Sequence, residues 1–184
     1  MGVVTRESWV GPGVSDRRVL VLGGARSGKS AFAERLAAES GSAVLYVATA
    51  TAGDEEMAER IAMHRAQRAS AWRTLELPTG VADRVAAELH DSATIILEDL
   101  TFLLSNLMAD DEPRAESRAI AEIQGLLTLS ADIILVSNEV GLGLVPPYPL
   151  GRRFRDALGR VNQFAAGACG EVYMLFAGLP LQLK

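Results

Sequence analysis

The sequence predicts an α/β fold with a mostly parallel central sheet, and two observations lead to this prediction. Short apolar runs alternate with segments of helical pattern along the chain, which is the order that crossover units produce in a parallel sheet. The first apolar run, residues 19–22, leads into a glycine-rich segment that a helical segment follows. The length of 184 residues fits one domain. We therefore expect a single catalytic domain at residues 19–184, preceded by a flexible extension at residues 1–18.

The strands are predicted from the apolar runs, because a strand buried on both faces of a parallel sheet reads as a continuous apolar segment. A third run of this kind ends in two acidic residues, and a fourth ends in serine and asparagine. In chain order we expect strands at residues 19–22, 43–49, 72–77, 94–97, 132–137 and 171–176, with a last short piece at residues 179–183.

The helices are predicted from runs of helix-forming residues and from signals at their ends. Gly41 follows the first helical run as a stop, and residues 53–56 place acids in the first turn of the second, where they favour the helix dipole. Residues 109–113 are expected to form a loop and the most mobile point, and residues 138–147 a functional loop. We expect helices at residues 31–39, 53–68, 78–89, 101–108, 114–129 and 151–167.

Residues 23–30 match the phosphate-loop pattern G-x-x-x-x-G-K-[ST] in full, between a strand and a helix. Glycines let the backbone wrap closely, so its N–H groups and the helix N-terminus face phosphate oxygens. The lysine would reach the β- and γ-phosphates, and the last serine would bind Mg²⁺. The alternative is a glycine-rich turn that binds nothing, and the strand–loop–helix context disfavours it. The residues predicted to bind nucleotide here are Gly23, Gly24, Ala25, Arg26, Ser27, Gly28, Lys29 and Ser30, with Lys29 also catalytic.

Two acids, Glu98 and Asp99, directly follow the third strong strand. In nucleotide-binding proteins with a phosphate loop, an acid at the end of a core strand holds Mg²⁺. We therefore predict a metal site from Ser30, Glu98 and Asp99, and the pattern does not distinguish between the two acids. The alternative is a pair of polar residues leaving a sheet.

His64 lies on the second predicted helix, four residues from Arg60 and four from Arg68. Residues at this spacing share one helical face. Two neighbouring cations would disfavour the imidazolium and hold phosphate oxygens, which are the conditions for attack on a nucleotide phosphorus. The alternative is an exposed histidine on a charged helix.

Polar residues also follow the fourth predicted strand, where open α/β sheets bind ligands at the carboxyl edge. Asn138 and Glu139 lie at this point. The helix at residues 151–167 carries a polar set that could face an anionic substrate or could equally be a solvated surface: Arg152, Arg153, Arg155, Asp156, Arg160, Asn162 and Gln163.

The composition argues against several classes of protein. The net charge of −5 argues against a general nucleic-acid binder or membrane-surface binder. No apolar run approaches the roughly 18 residues of a membrane span, and residues 1–18 lack the apolar core of a signal peptide. The single cysteine, Cys169, allows no disulfide within one chain and is expected to be a small buried residue. We therefore expect a cytoplasmic enzyme.

Five segments in order carry a resemblance to a known family: residues 23–30, residues 60–68, residues 72–76, residues 138–146 and residues 154–163. Together they resemble the bifunctional adenosylcobinamide kinases/adenosylcobinamide-phosphate guanylyltransferases of cobalamin biosynthesis. The resemblance extends over nearly all of residues 19–184. It implies a RecA-like P-loop fold of three layers and a homotrimer.

The resemblance implies two reactions and the residues that serve them. The first phosphorylates adenosylcobinamide with ATP or GTP, and the second transfers GMP from GTP to give adenosylcobinamide-GDP. His64 matches the family's transiently guanylylated histidine, with Mg²⁺ as cofactor. Beyond the phosphate loop, the implied nucleotide contacts are Ala48, Thr49, Ala50, Arg65, Ala66, Gln67, Arg68, Glu76 and Glu98.

Two other functions compete with this interpretation. A single-activity P-loop kinase for another small molecule would keep the phosphate loop but would not need a nucleophilic histidine. A regulatory GTP switch would bind protein partners, but such switches carry an Asn-Lys-x-Asp segment to recognise guanine, and this sequence has none.

Overall fold

A seven-stranded sheet forms the centre of the protein, with strand order β3-β2-β4-β5-β1-β6-β7. The computed structural model describes residues 17–41, 43–90 and 94–184, without the side chains of Arg60 and Gln67. All neighbouring strands pair in parallel except β6 and β7, which are antiparallel. The strands are β1 (Arg18–Gly23), β2 (Val44–Ala48), β3 (Arg73–Glu76), β4 (Thr94–Glu98), β5 (Asp132–Asn138), β6 (Glu171–Phe176) and β7 (Leu179–Gln182).

Helices cover both faces of the sheet, which gives three layers and confirms the predicted α/β fold. One apolar cluster joins the sheet to α1 through Phe32 and Leu36, and a larger one joins the other face to α3, α4, α5 and α6. None of the helices in the described ranges is long and apolar enough to cross a membrane. The helices are α1 (Lys29–Glu39), α2 (Glu55–Gln67), α3 (Val81–Glu88), α4 (Leu100–Asp111), α5 (Ala115–Leu127) and α6 (Pro149–Ala168).

The predicted loop at residues 109–113 is wrong. Helix α4 continues to Asp111, and a 3₁₀ turn at Glu112–Arg114 joins it to α5. The acids that indicated a loop are instead bound by arginines, since Asp110 pairs with Arg118 and Glu112 pairs with Arg153. Pro113 is accommodated because it stands in the first positions of the turn, where a missing N–H costs no hydrogen bond.

The parallel strands bring the predicted site residues to one edge of the sheet. Strands β1, β2, β4 and β5 all end there, and Gly23 lies opposite Asn138 while Ala48 lies opposite Glu98. This edge is where parallel α/β sheets bind ligands. The fold therefore assembles the phosphate loop and the two acids from segments far apart in the sequence.

Cys169 lies at the end of α6, buried in the larger apolar cluster. Burial raises the pKa of its thiol to about 11. Because the thiolate is the nucleophilic form, this environment disfavours reactivity. The prediction of a small buried residue is confirmed.

Strand β1 begins at Arg18, and Arg17 before it is anchored to β6. Arg17 Nε and Nη2 donate to the Glu171 carboxylate at 2.6 and 2.7 Å. These bonds lower the pKa of Glu171 below its ordinary value. Residues 17 and 18 of the predicted extension are thus part of the described fold, while residues 1–16 lie outside the described residues.

We predict that Arg17→Gln lowers the free energy of unfolding by about 0.5–1 kcal/mol at pH 7, the range for a partly solvent-screened ion pair. Because the folded-state pKa of Glu171 is lowered, this stabilisation is present above about pH 4.3 and is lost as the pH falls through the folded-state pKa. Urea unfolding at pH 7 and at pH 3 measures both effects. Arg84→Gln, which removes a more exposed ion pair with Glu88, is the matched control and should change little. Equal losses in the two variants would contradict the prediction.

Candidate functional site

The phosphate loop, residues 23–30, makes a tight turn between β1 and α1. The Ser27 N–H donates to the Gly24 carbonyl at 3.2 Å, and Gly28 has a φ of +90°, in the left-handed region that favours glycine. A Cβ at Gly23 would lie only 2.3 Å from Ser27 Oγ, so the turn admits no side chain there. Glycine is therefore needed in the motif for two reasons. Gly23 allows the backbone to approach Ser27 closely, and Gly28 allows a positive φ.

The loop leaves its donors available for an anion. Helix α1 has no side-chain cap at Gly28 and no acid in its first turn, so its first N–H groups and its dipole can act on a bound anion. Lys29 is nearly buried beside this helix end. The arrangement has the donor chemistry of a phosphate cradle, as the motif predicts.

Ser30 and Glu98 meet directly at the mouth of the loop. Ser30 Oγ donates to Glu98 Oε1 at 2.7 Å. The other oxygen, Glu98 Oε2, is buried and has no hydrogen-bond partner among the described residues. Burial first, and then the neighbouring Asp99 carboxylate, raises the pKa of Glu98, while the Ser30 hydrogen bond and the Lys29 charge oppose this rise. A cation beside Glu98 would offset the cost of burying its charge.

The residues at this point fit Mg²⁺. This ion is usually bound through one or two protein oxygens together with substrate phosphates and water. Ser30 Oγ and the unpartnered Glu98 Oε2 would supply those oxygens. Within residues 17–41, 43–90 and 94–184, no three His, Cys, Asp or Glu side chains form a cluster that could hold a metal ion.

Asp99 makes different hydrogen bonds from Glu98, although the two acids are adjacent in the sequence and are predicted to share one metal site. Asp99 Oδ1 accepts from the Phe102 N–H at 2.9 Å and so caps α4, while Oδ2 accepts from Asn138 Nδ2 at 3.1 Å. Burial raises the pKa of Asp99, and the Phe102 hydrogen bond and Lys29 oppose the rise. Since both oxygens are engaged, the geometry favours Glu98 over Asp99 as the acid of the predicted metal site.

Thr49 is buried and bonds to the backbone of Asp99. Thr49 Oγ1 accepts from the Asp99 N–H at 2.8 Å and donates to the Asp99 carbonyl at 2.7 Å. The Thr49 N–H donates to the backbone carbonyl of Glu98, and the Thr49 carbonyl accepts from Asn106 Nδ2. Every polar group of Thr49 thus has a protein partner. Thr49 therefore holds the backbone of Asp99 in place, and its contact with nucleotide stays a prediction.

Asn162 belongs to the same network, although the sequence pattern predicts only that it lies on a polar helix face. It is buried, accepts from Ser137 Oγ at 2.7 Å and donates to the Asn138 carbonyl at 3.0 Å. The sequence does hold a signal, because Asn162 lies on the face of α6 that carries Leu158 and Ala165. A polar residue on an otherwise apolar helix face needs an internal partner.

The polar face expected on α6 divides into two groups. Arg160 pairs with Glu116 at 2.7 Å and Arg153 pairs with Glu112, both at the surface. Arg152 donates to the carbonyls of the preceding proline segment. For these three arginines the structure supports the solvated alternative, whereas Asn162 lies inside.

His64 lies on an exposed helix. Helix α2 is capped by Asp54, which accepts from the Met57 N–H at 2.8 Å, and only Met57 and Ile61 among its described side chains are half-buried. His64 is exposed near the end of the helix. Its ring is therefore accessible to a nucleotide, and the same exposure fits the alternative of a surface histidine.

The predicted face shared by Arg60, His64 and Arg68 is wrong at Arg68. Helix α2 ends at Gln67, and Arg68 follows with an extended backbone. Its guanidinium lies 4.0 Å from the centre of the Tyr46 ring, and its Nε and Nη1 are buried without a hydrogen-bond partner in the described part of the chain. The Arg60 side chain lies outside the described residues.

A groove of about 480 Å³ lies between α2 and the ends of β2 and β3. Three of the predicted nucleotide contacts line it: Ala50, Arg65 and Glu76. Arg65 and Glu76 form an ion pair across it. Ala48 is buried at the end of β2, Ala66 is exposed on α2, and the Gln67 side chain lies outside the described residues. The groove opens at the same sheet edge as the phosphate loop.

Comparison with known proteins identifies the same family as the resemblance of the five sequence segments. A family model described as cobinamide kinase / cobinamide phosphate guanyltransferase matches residues 19–183. The chain is 50% identical over 168 residues to the bifunctional adenosylcobalamin biosynthesis protein CobP of Pseudomonas aeruginosa, covering 91% of this chain and 97% of that protein. It is 41% identical over 180 residues to the bifunctional adenosylcobalamin biosynthesis protein CobU of Escherichia coli, covering 90% and 99% respectively.

The geometry predicts that the two acids differ in function. Glu98→Gln should lower Mg²⁺-dependent nucleotide turnover on the order of 10²-fold, because the unpartnered oxygen loses its charge. Asp99→Asn keeps the α4 cap but turns an amide NH₂ towards Asn138 Nδ2, so it should lower the melting temperature while changing the Mg²⁺ dependence much less than Glu98→Gln. Turnover measured against Mg²⁺ concentration, with thermal unfolding of each variant, tests this. An equal loss in the two variants would remove the distinction.

Proposed function

The chain belongs to the cobinamide kinase / cobinamide phosphate guanyltransferase family, and from this premise we propose which of its residues perform the two reactions. Its activities are those of cobinamide kinase and cobinamide phosphate guanylyltransferase in adenosylcobalamin biosynthesis. The observation that carries the assignment is the contact between Ser30 and Glu98 beside the phosphate loop. One nucleotide site would then serve both reactions.

In the kinase step, the hydroxyl of adenosylcobinamide attacks the γ-phosphorus of ATP or GTP. The new O–P bond forms as the bond from the γ-phosphorus to the bridging oxygen breaks, the nucleoside diphosphate leaves, and the hydroxyl proton passes to water. The loop N–H groups orient the phosphates, and Lys29 offsets their negative charge. Mg²⁺, held by Ser30 and Glu98, would supply further positive charge to the phosphate oxygens.

In the guanylyl step, a ring nitrogen of His64 attacks the α-phosphorus of GTP. An N–P bond forms, the bond to the bridging oxygen breaks, and pyrophosphate leaves. A phosphate oxygen of adenosylcobinamide phosphate then attacks the same phosphorus, and the N–P bond breaks to give adenosylcobinamide-GDP. The histidine thus divides one displacement into two, which is the advantage of a covalent intermediate.

The structure supports this assignment through the surroundings of His64. The ring is exposed on α2, and the adjacent Arg65 forms an ion pair with Glu76 in the groove at the sheet edge. Arg65 and Glu76 would hold the guanine nucleotide in this groove, with Ala50 at its wall. His64 needs no buried partner for this role, because substrate binding would order its ring.

We also propose that the protein is a cytoplasmic homotrimer. Among the described residues, exposed large apolar side chains include Leu142 and Leu144 in the loop after β5 and Phe176 and Leu179 beside the β6–β7 turn. Exposed apolar surface of this kind supports self-association. Size-exclusion chromatography with light scattering would test it, and a monomer at micromolar concentration would contradict it.

Lys29→Ala should abolish both activities, because each step displaces a charged phosphate group that Lys29 contacts in this proposal. Kinase and guanylyltransferase assays on folded variant protein measure the effect. Arg35→Ala removes an exposed cation on α1, outside the phosphate loop and paired with Glu39, so it is the matched control and should retain most activity. Turnover near that of the unaltered protein in Lys29→Ala would exclude the phosphate loop from the mechanism.

His64→Ala should separate the two activities. The kinase step uses the substrate hydroxyl as nucleophile, so it should persist, while GMP transfer and the acid-labile protein adduct should be lost. Incubation with GTP labelled at the α- or γ-phosphate measures the adduct, and only the α-label should stay on the protein.

His90→Ala is the matched control, since His90 is the other histidine of the chain and is also exposed. It should form the adduct normally. If His64→Ala still transfers GMP, or if the γ-label remains on the protein, the covalent guanylyltransferase mechanism is wrong and a single-activity kinase becomes the better explanation.

A further inference from the structure

We propose that the β6–β7 turn, residues Ala177 and Gly178, positions the phosphate loop by fixing the direction of the Gly28 N–H. This rests on the proposed function only in requiring that the loop binds nucleotide phosphates. The turn lies far from the motif in sequence and at the edge of the sheet. It is therefore a positioning element, not a part of the cradle itself.

A direct backbone hydrogen bond joins the turn to the loop. The Gly178 N–H donates to the Ser27 carbonyl at 2.8 Å. Parallel pairing of β6 with β1 places Leu175 opposite Gly23, so the chain leaving β6 passes beside the loop. The contact thus follows from the sheet register.

This hydrogen bond fixes the direction of the Gly28 N–H, one of the donors of the phosphate loop, because of the geometry of the peptide unit. The Ser27 carbonyl and the Gly28 N–H belong to one trans peptide unit, in which the two groups point in opposite directions. When Gly178 holds the carbonyl outward, the Gly28 N–H is directed to the other side of the peptide, away from the turn. That side is the interior of the loop, where phosphate oxygens would bind.

Two glycines make this close contact possible. A Cβ at Gly28 would lie 3.2 Å from the Gly178 Cα, closer than side chains normally pack. Gly178 itself has a φ of +84°, and Ala177 before it has a φ of +50°. Consecutive residues with positive φ are typical of the tight turns that join antiparallel strands. The turn and the loop therefore fit each other backbone to backbone.

The two ends of the loop are held by different parts of the fold. The Gly23 carbonyl accepts from the Glu139 N–H at 3.1 Å, at the end of the central strand β5. The Ser27 carbonyl accepts its hydrogen bond from the turn of the β6–β7 hairpin. All four residues of the outer strand β7 are exposed to solvent. The hairpin is anchored at its far end, where the Leu183 N–H donates to the Val172 carbonyl at 2.8 Å. Loss of the turn contact should therefore weaken phosphate binding without unfolding the core.

The test replaces one amide by an ester, which removes the N–H and keeps the shape. Cys169, the single cysteine of the chain, allows a synthetic peptide of residues 169–184 to be ligated to residues 1–168 and the full chain to be refolded. One protein carries the ester at Gly178. The matched control carries it at Leu183, which removes a hydrogen bond of the same length, 2.8 Å, that does not touch the loop. An all-amide ligated chain is the reference.

We expect the Gly178 ester to raise the Kd of Mg²⁺–GTP by up to about tenfold, because this is the most that the loss of one hydrogen bond of ordinary strength would contribute. Binding of guanosine, which has no phosphate, should not change. The Leu183 ester should lower the melting temperature as much as the Gly178 ester but leave the Kd of Mg²⁺–GTP unchanged. Equal Kd values for the two esters would overturn the inference while leaving the proposed function intact. If the all-amide chain itself binds no Mg²⁺–GTP, the proposed function fails and the inference fails with it.

A second pair of variants covers the case in which the Gly178 ester does not refold. Gly178→Ala places a side chain at a φ of +84° and should displace the turn, whereas Ala177→Gly relieves the φ of +50° next to it. Gly178→Ala should raise the Kd of Mg²⁺–GTP and the KM for GTP of both activities by the same factor, and Ala177→Gly should not raise either. An unchanged Kd in Gly178→Ala, with a lowered melting temperature, would show a purely structural turn.

Discussion

The site depends on how the peptide groups of the phosphate loop are oriented. Each N–H that points inward to a phosphate leaves a carbonyl pointing outward, and that carbonyl needs a donor from elsewhere in the fold. Here Glu139 supplies one donor and Gly178 supplies another. The seven-stranded sheet makes both contacts possible, because β1 lies between β5 and β6. The position of β1 in the sheet is therefore part of the binding chemistry.

The two adjacent acids show how burial separates similar side chains. Asp99 is buried and Glu98 is half-buried with its Oε2 atom fully buried, and the Asp99 carboxylate raises the cost of charging Glu98. Both oxygens of Asp99 accept a hydrogen bond, one at the α4 cap and one from Asn138. Glu98 receives one hydrogen bond, from Ser30, and keeps one oxygen unpartnered within the described ranges. That imbalance makes Glu98 the group that gains most from a bound cation.

The residues assigned to the two reactions lie in regions of very different burial. The phosphate loop and Glu98 are built into the core edge, whereas His64 lies on a helix with no fully buried side chain among those described. Helix α2 is attached near its end by the Arg65–Glu76 ion pair and by Arg68 on the Tyr46 ring. A rigid cradle suits phosphate binding common to both steps. A weakly attached helix would suit the nucleophile proposed at His64, which would approach the α-phosphate in one step only.

The sequence by itself determined the α/β class, the order of strands and helices, the phosphate loop and the family, because these depend on local periodicity and on short motifs. It placed Ser30 with Glu98 correctly, since strand ends in a parallel sheet share one edge. It could not separate Glu98 from Asp99, or show that Arg68 turns onto Tyr46, or that Asp111 stays helical. Those outcomes depend on partners distant in sequence: Asn138 for Asp99 and Arg153 for Glu112. Only the tertiary structure decided that Gly178 contacts Ser27, because that hydrogen bond requires the sheet register to be formed first.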